Sequence, residues 1–170
     1  MGLAETSLTQ STPRISIDTG VMVEYIDEAG DFHAEASTVV KSITSGKLLG
    51  LVAHPVLAEL YYVSSRLYEK SEEKKQNIEP EQKAENLIKW IFGSPNILIQ
   101  ENTLELALEA GRIKKKYAFA LTDSFVLAAA KLNRCKAVFK SLEDEMARGD
   151  KLGKLEKEEK IQLVFLKDYR

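Results

Sequence analysis

Short apolar runs alternate along the chain with longer stretches whose apolar positions recur three or four residues apart. That alternation predicts strands and helices in turn. Arg14–Ile17 reads as a short strand ending at Asp18-Thr19-Gly20, and helical material begins at Val21–Ile26. Ala34, Ala36, Val39, Val40 and Ile43 form an amphipathic stripe that Gly46 is expected to stop. Leu48–Ala53 is apolar throughout, the pattern of a strand covered on both faces of a parallel sheet. A helix restarts at His54-Pro55, where proline suits the first helical position, and its stripe runs Val56, Leu60, Val63, Leu67.

From Glu69 to Lys89 the sequence turns strongly charged, and Pro80 divides it into two exposed helical arms. Leu87, Ile88, Trp90, Ile91 and Phe92 are expected to return the chain to the core before Gly93-Ser94-Pro95 ends the element. Ile97–Ile99 is a short strand. Thr103 should cap a helix with Leu104, Ala107, Leu108 and Gly111 on one side, Gly111 marking close backbone packing. Thr122 should cap the next helix, Asp123–Asn133, whose Phe125–Ala130 run is apolar nearly all round and therefore buried. Ala137–Phe139 and Leu163–Leu166 complete the strands. Strands separated by helices predict an α/β fold, a three-layer α/β/α sandwich with a mainly parallel central sheet.

Composition narrows the class. The 170 residues suit one domain, with Met1–Pro13 read as a flexible N-terminal tail and 14–170 as the domain proper. Formal net charge is −2, so no global basic field advertises nucleic acid, and any such contact must come from local patches or bound cations. A single cysteine, Cys135, excludes an internal disulfide and reads as a small buried thiol. The polar N-terminus is not a signal peptide and no apolar run approaches a membrane span, which predicts a cytoplasmic protein. His33 and His54 lack metal-ligand spacing and read as structural. Neither a glycine-rich phosphate loop nor a Ser-His-Asp arrangement is present.

The chemistry lies in the acids. Asp18 ends the first strand, and in open α/β sheets the ligand crevice lies beyond the strands' carboxyl ends; a plain helix-cap aspartate is the alternative. Glu59 falls about 40° from Val63 and about 60° from Val56 on its helix, inside the apolar stripe. A carboxylate drawn toward a core needs a metal or a cationic partner, Arg66 being one choice. Asp123 stands at the mouth of a buried helix, where it faces a crevice or complements the helix dipole. Ser141–Met146 is an acidic run just past a strand end. Several acids at one sheet edge repel unless cations neutralise them, and an all-oxygen set selects Mg²⁺ or Mn²⁺. Such a site suits phosphodiester hydrolysis.

Together these residues resemble a PIN domain from about Arg14 to Leu166. The resemblance rests on Ile17-Asp18-Thr19, Pro55–Leu60 with Glu59, Ala107-x-x-Ala110-Gly111, and Leu121-Thr122-Asp123 running on to Ala130. It implies a Mg²⁺- or Mn²⁺-dependent endoribonuclease, VapC-like toxins with a cognate antitoxin among the kindred. Asp18, Glu59 and Asp123 are the acids it assigns to metal and catalysis, and Thr19 matches a hydroxyl beside the first. The fourth position departs from the pattern: Ser141-x-Glu143-x-Glu145-Met146 stands where Thr-x-Asp, a further acid and an aromatic are usual. Glu143 is the fourth ligand on this reading, with Asp144 or Glu145 as fallback, and Thr122, Ser141 and Glu145 in support.

Arg112, Lys114, Lys115 and Lys116 are candidate RNA contacts, with Lys131, Arg134, Lys136 and Lys140 a second patch. The arm at about 69–89, with Tyr61, Tyr62, Tyr68 and Trp90 as anchors, resembles the surface that receives an antitoxin or a second subunit, and a homodimer is implied by analogy. The rival reading is a PIN-fold scaffold with a degraded site, or an rRNA or tRNA maturation factor in a ribonucleoprotein complex.

Overall fold

The computed structural model describes residues 12–70 and 78–169. The predicted tail Met1–Pro13 and the middle of the charged arm therefore fall largely outside the described residues. Five parallel strands form one sheet in the order β3-β2-β1-β4-β5: β1 (Arg14–Ile17), β2 (Leu49–Ala53), β3 (Ile97–Gln100), β4 (Lys136–Phe139) and β5 (Leu163–Phe165). Between them run α1 (Thr19–Ile26), α2 (His33–Thr44), α3 (His54–Lys70), α4 (Pro80–Gly93), α5 (Leu104–Tyr117), α6 (Leu121–Leu132), α7 (Asp144–Ala147) and α8 (Lys151–Lys154). The predicted α/β/α sandwich is what forms, because parallel strands need helical crossovers and those crossovers cover both faces.

Two central strands set the packing. Ile15 and Ile17 of β1 and Leu51–Ala53 of β2 are buried. Gly50 of β2 lets them approach: a Cβ there would stand 2.7 Å from Ile17 Cδ1 and 3.1 Å from Ile43 Cδ1. Helix α6 lies across β1, β2 and β4, and the Ser16 hydroxyl ties β1 to it by donating to the Val126 carbonyl at 2.9 Å. From β1 the chain passes to β2 on one side, while β4 enters on the other. The junction of β1 and β4 is thus where the strand order reverses, and a crevice opens there beyond the carboxyl ends.

Several local expectations are corrected. Helix α6 starts at Leu121 with Ala120 at its N-cap, so Thr122 lies inside the first turn and caps nothing. Thr103 does cap α5, accepting from the Leu106 N–H. The face α5 buries is Leu106, Ala110, Ile113 and Tyr117; Leu104 and Leu108 are 76% and 49% exposed. Two apolar stripes of equal periodicity share that helix, and only the position of α6 selects between them. Gly111 has open space where a Cβ would go, so close packing does not explain it. Trp90 and Phe92 stay largely out of the core; Trp90 stacks on Tyr25 with centroids 6.1 Å apart, while Ala84 and Ile91 make the buried contacts of α4. Among the described residues no helix is long and apolar enough to cross a membrane.

Candidate metal centre

Asp18 leaves β1 as the N-cap of α1, its Oδ2 accepting the Gly20 N–H at 2.9 Å. Its own N–H donates to the Val138 carbonyl of β4 at 3.0 Å, which stitches the two strand ends together at the crevice. The helix-cap alternative is therefore true of Asp18, and it does not exhaust the residue. Asp18 is only 5% exposed, and burial above all, with repulsion from Glu59 and Glu143 adding to it, pushes the carboxyl up to about 7 against the pull of the Gly20 and Thr19 amides.

Asp123 sits in the first turn of α6 and is also 5% exposed. Its Oδ2 is buried with no hydrogen-bond partner among the described residues. Burial first, then the charges of Asp18, Glu143, Glu59 and Glu145, push this carboxyl up to about 8. A helix dipole complemented by an aspartate does not require that burial, and a buried orphan acceptor costs about 1–3 kcal/mol, more when charged.

Glu59 is half-buried on α3, as its place in the apolar stripe predicts. Its Oε2 accepts from Thr19 Oγ1 at 2.6 Å. Arg66, the alternative partner, instead lies over the Tyr62 ring, 4.7 Å from its centroid. Glu143, an exposed residue, precedes α7 in the segment after β4, and partial desolvation of its carboxyl, then Glu145 and Glu59, raise it. Ser141 is half-buried and Glu145 exposed in the same segment.

Four segments thus bring Asp18, Glu59, Asp123 and Glu143 within electrostatic range of one another at the reversal point. They do not form a closed cage: among the described residues no three His, Cys, Asp or Glu side chains stand close enough, as placed, to hold one ion. The orphan Oδ2 of Asp123 and the all-oxygen donor set nevertheless fit a hard dication. Mg²⁺ in particular keeps several waters and needs only one or two direct carboxylates.

Other candidates have found other work. Lys116 bridges Glu158 and Glu159 at 2.6 and 2.7 Å, Arg112 pairs with Glu109 at 3.2 Å, and Lys114 donates to the Phe119 carbonyl; Lys115 is exposed. The second patch splits: Lys131 joins Glu109 and Glu159, while Lys140 crosses to Glu24 on α1. Glu24 is 2% exposed and also accepts the Phe32 N–H at 2.7 Å. Sequence reasoning passed over this buried acid, although its place one turn after Val21 on a short apolar helix was a usable signal. His33 and His54 donate to the Glu24 and Gln100 carbonyls. The half-buried Cys135 thiol is pushed up by burial, as suits an unreactive side chain.

A PIN domain family model matches residues 15–152. Among solved structures, the chain is similar to VapBC2 from Rickettsia felis bound to a DNA fragment from their promoter. That match has a TM-score of 0.57 at 13% identity and covers 89% of this chain and 98% of that one. It is similar to Mycobacterium tuberculosis VapC20, a sarcin-ricin loop cleaving toxin, with TM-score 0.57 and 15% identity over 79% and 95% of the two chains. DNA-bound VapBC from Salmonella typhimurium gives 0.55 and 15% over 91% and 98%. No curated protein matches. At these identities the neighbours speak for the fold, while the family match spans most of the sequence; on that ground the protein belongs to the PIN domain family.

Proposed function

We propose that the protein is a metal-dependent endoribonuclease whose Asp18, Glu59, Asp123 and Glu143 hold Mg²⁺ or Mn²⁺ at the β1–β4 crevice. The observation that carries this reading is the buried Oδ2 of Asp123, without a hydrogen-bond partner among the described residues and set among four further acids that raise its proton affinity. A bound dication supplies charge neutralisation and a water acidified for attack on a phosphodiester. The protein's part is positioning. The Gly20 N–H fixes Asp18 Oδ2, Thr19 fixes Glu59 Oε2, and the start of α6 fixes Asp123. In the absence of metal Asp18 and Asp123 hold protons near neutrality, so metal entry releases protons.

The described toxin activity of VapC20 and the VapBC complexes among the neighbours support two further parts of the reading. These are an RNA substrate and a cognate antitoxin, with the domain taken as 14–170, a homodimer as the assembly and the cytoplasm as the place of action. The second reading, a PIN-fold scaffold or maturation factor with a weak site, draws on the lack of a ready three-ligand cage and on the exposure of Glu143. Cleavage of structured and unstructured RNA with Mn²⁺, Mg²⁺ or chelator separates them, alongside Mn²⁺ titration calorimetry. The nuclease reading expects cutting that chelator abolishes and a binding heat that Asp123→Asn reduces. Equal heats for both proteins and no cutting would leave the scaffold.

A further inference from the structure

The opposite edge of the sheet carries charge of the other sign. Arg14 and Lys136 begin β1 and β4, and Arg134 and Lys160 lie in the segments that lead into β4 and β5. With Lys131 and Glu159 they line an open cleft of about 1080 Å³, five cations facing one carboxylate. That excess runs against a chain whose net charge is −2.

Internal pairing does not absorb it. Glu159 is shared by Lys131 and Lys116, at 2.7 Å from each, and those cations hold its carboxyl well below the usual range, at about 2. Arg14, Arg134, Lys136 and Lys160 are exposed, and none of the four makes an ion pair with an acid among the described residues. Arg134 and Lys160 have φ of 51° and 57°, the left-handed region in which glycine or asparagine is the low-cost residue. Long cations stand at both positions despite that cost. The described lining has no aromatic side chain on which a base could stack, so the cleft suits a charged backbone and not base recognition.

We infer that this cleft is a second binding site, for the phosphodiester backbone of RNA irrespective of sequence, separate from the acid crevice. Arg14 begins β1 and Asp18 follows its last residue, about 13 Å away at roughly 3.3 Å per residue. One RNA held at the cleft therefore does not compete with a phosphate at the acids. The choice of RNA over other polyanions rests on the nuclease reading; the unpaired cations themselves do not.

The test is fluorescence anisotropy of a labelled oligouridine in chelator, over a range of salt. It compares the wild type with a variant carrying Arg14→Gln, Arg134→Gln, Lys136→Gln and Lys160→Gln, whose folding is checked by its melting curve. Each lost phosphate contact should lower the slope of log affinity against log salt by about 0.7, so the variant's slope falls by roughly 3 and its affinity by at least about tenfold at low salt. An unchanged slope in the folded variant overturns the proposal. So does equal binding of an oligoglutamate of the same length, which would mark the cleft as a seat for an acidic protein segment. Because no metal is present, a wild type that fails to cut RNA with Mn²⁺ refutes the nuclease reading and leaves this measurement standing.

Discussion

Thr19 Oγ1 donates a 2.6 Å hydrogen bond to Glu59 Oε2, joining the first turn of α1 to the second turn of α3 across forty positions of sequence. The bond fixes one carboxylate oxygen of Glu59 and leaves its partner oxygen available. A hydrogen bond to a charged group contributes about 1.5–3 kcal/mol, and groups that orient metal ligands typically govern about 10- to 100-fold in metal affinity or activity. Thr19→Val should therefore weaken Mn²⁺ binding and RNA cleavage by that order, while Thr19→Ser keeps most of both. Calorimetry and cleavage rates on the two variants check this, and a loss for serine with none for valine would argue that the methyl group matters instead of the hydroxyl.

Asp123→Asn separates stability from function. The amide removes a charge that burial, Asp18, Glu143 and Glu59 all oppose. In chelator at about pH 8 the variant should melt higher than wild type, by about 2–4 °C for each kcal/mol relieved, while metal-dependent cleavage is lost. A melting temperature equal to or below that of wild type would mean that the carboxylate is not under electrostatic stress.

The pH dependence of the metal-free protein follows from the same acids. Asp18 and Asp123 are raised from 3.8 to about 7 and about 8 in the folded state, so between those values the native protein holds protons that the unfolded chain has released. Their stabilising contribution is fully present below about pH 4 and is lost as pH rises to about 8, at up to ~1.4 kcal/mol per pH unit for each group. Urea unfolding in chelator should show stability falling from about pH 5 to about pH 8. Added Mn²⁺ should flatten that decline, since it binds the deprotonated carboxylates. A flat profile in chelator would count against the shifts.

The Glu24–Lys140 pair predicts an asymmetry. Glu24 is buried and the Lys140 side chain is 41% exposed. Lys140→Met leaves a buried carboxylate without its cation and should cost about 2 kcal/mol or more, discounted from the 3–5 kcal/mol of a fully buried pair. Glu24→Gln costs less, because the amide oxygen still accepts the Phe32 N–H. The double variant should recover part of the Lys140→Met loss. Chemical denaturation of the three proteins decides it, and simple additivity would exclude coupling.

Gly50→Ala tests the closeness of β1 and β2. Its Cβ would stand 2.7 Å from Ile17 Cδ1, an overpacking that typically costs about 1–3 kcal/mol. The displaced Ile17 is the neighbour of Asp18, so metal affinity should fall along with the melting temperature. Loss of stability alone would show that the strain relaxes away from the crevice.

Much of this protein was legible from local rules. Strand positions, the parallel class and the acids at strand ends follow from apolar periodicity, and Glu59 stood out because a carboxylate occupied an apolar stripe. Periodicity could not choose between the Leu104–Leu108 stripe and the Leu106–Ala110–Ile113 stripe of α5, since both repeat at helical spacing and only α6 decides which is covered. It could not sort the lysines either. Lys131, Lys136 and Lys140 lie within ten residues, yet one joins a carboxylate network, one faces an open cleft and one reaches a buried glutamate. Which side chains repel water and which carry charge can be read from the order of amino acids alone, because those are properties of single residues. Which charges meet emerges in three dimensions, because Coulomb energy and desolvation depend on separations that chain folding, not sequence distance, sets.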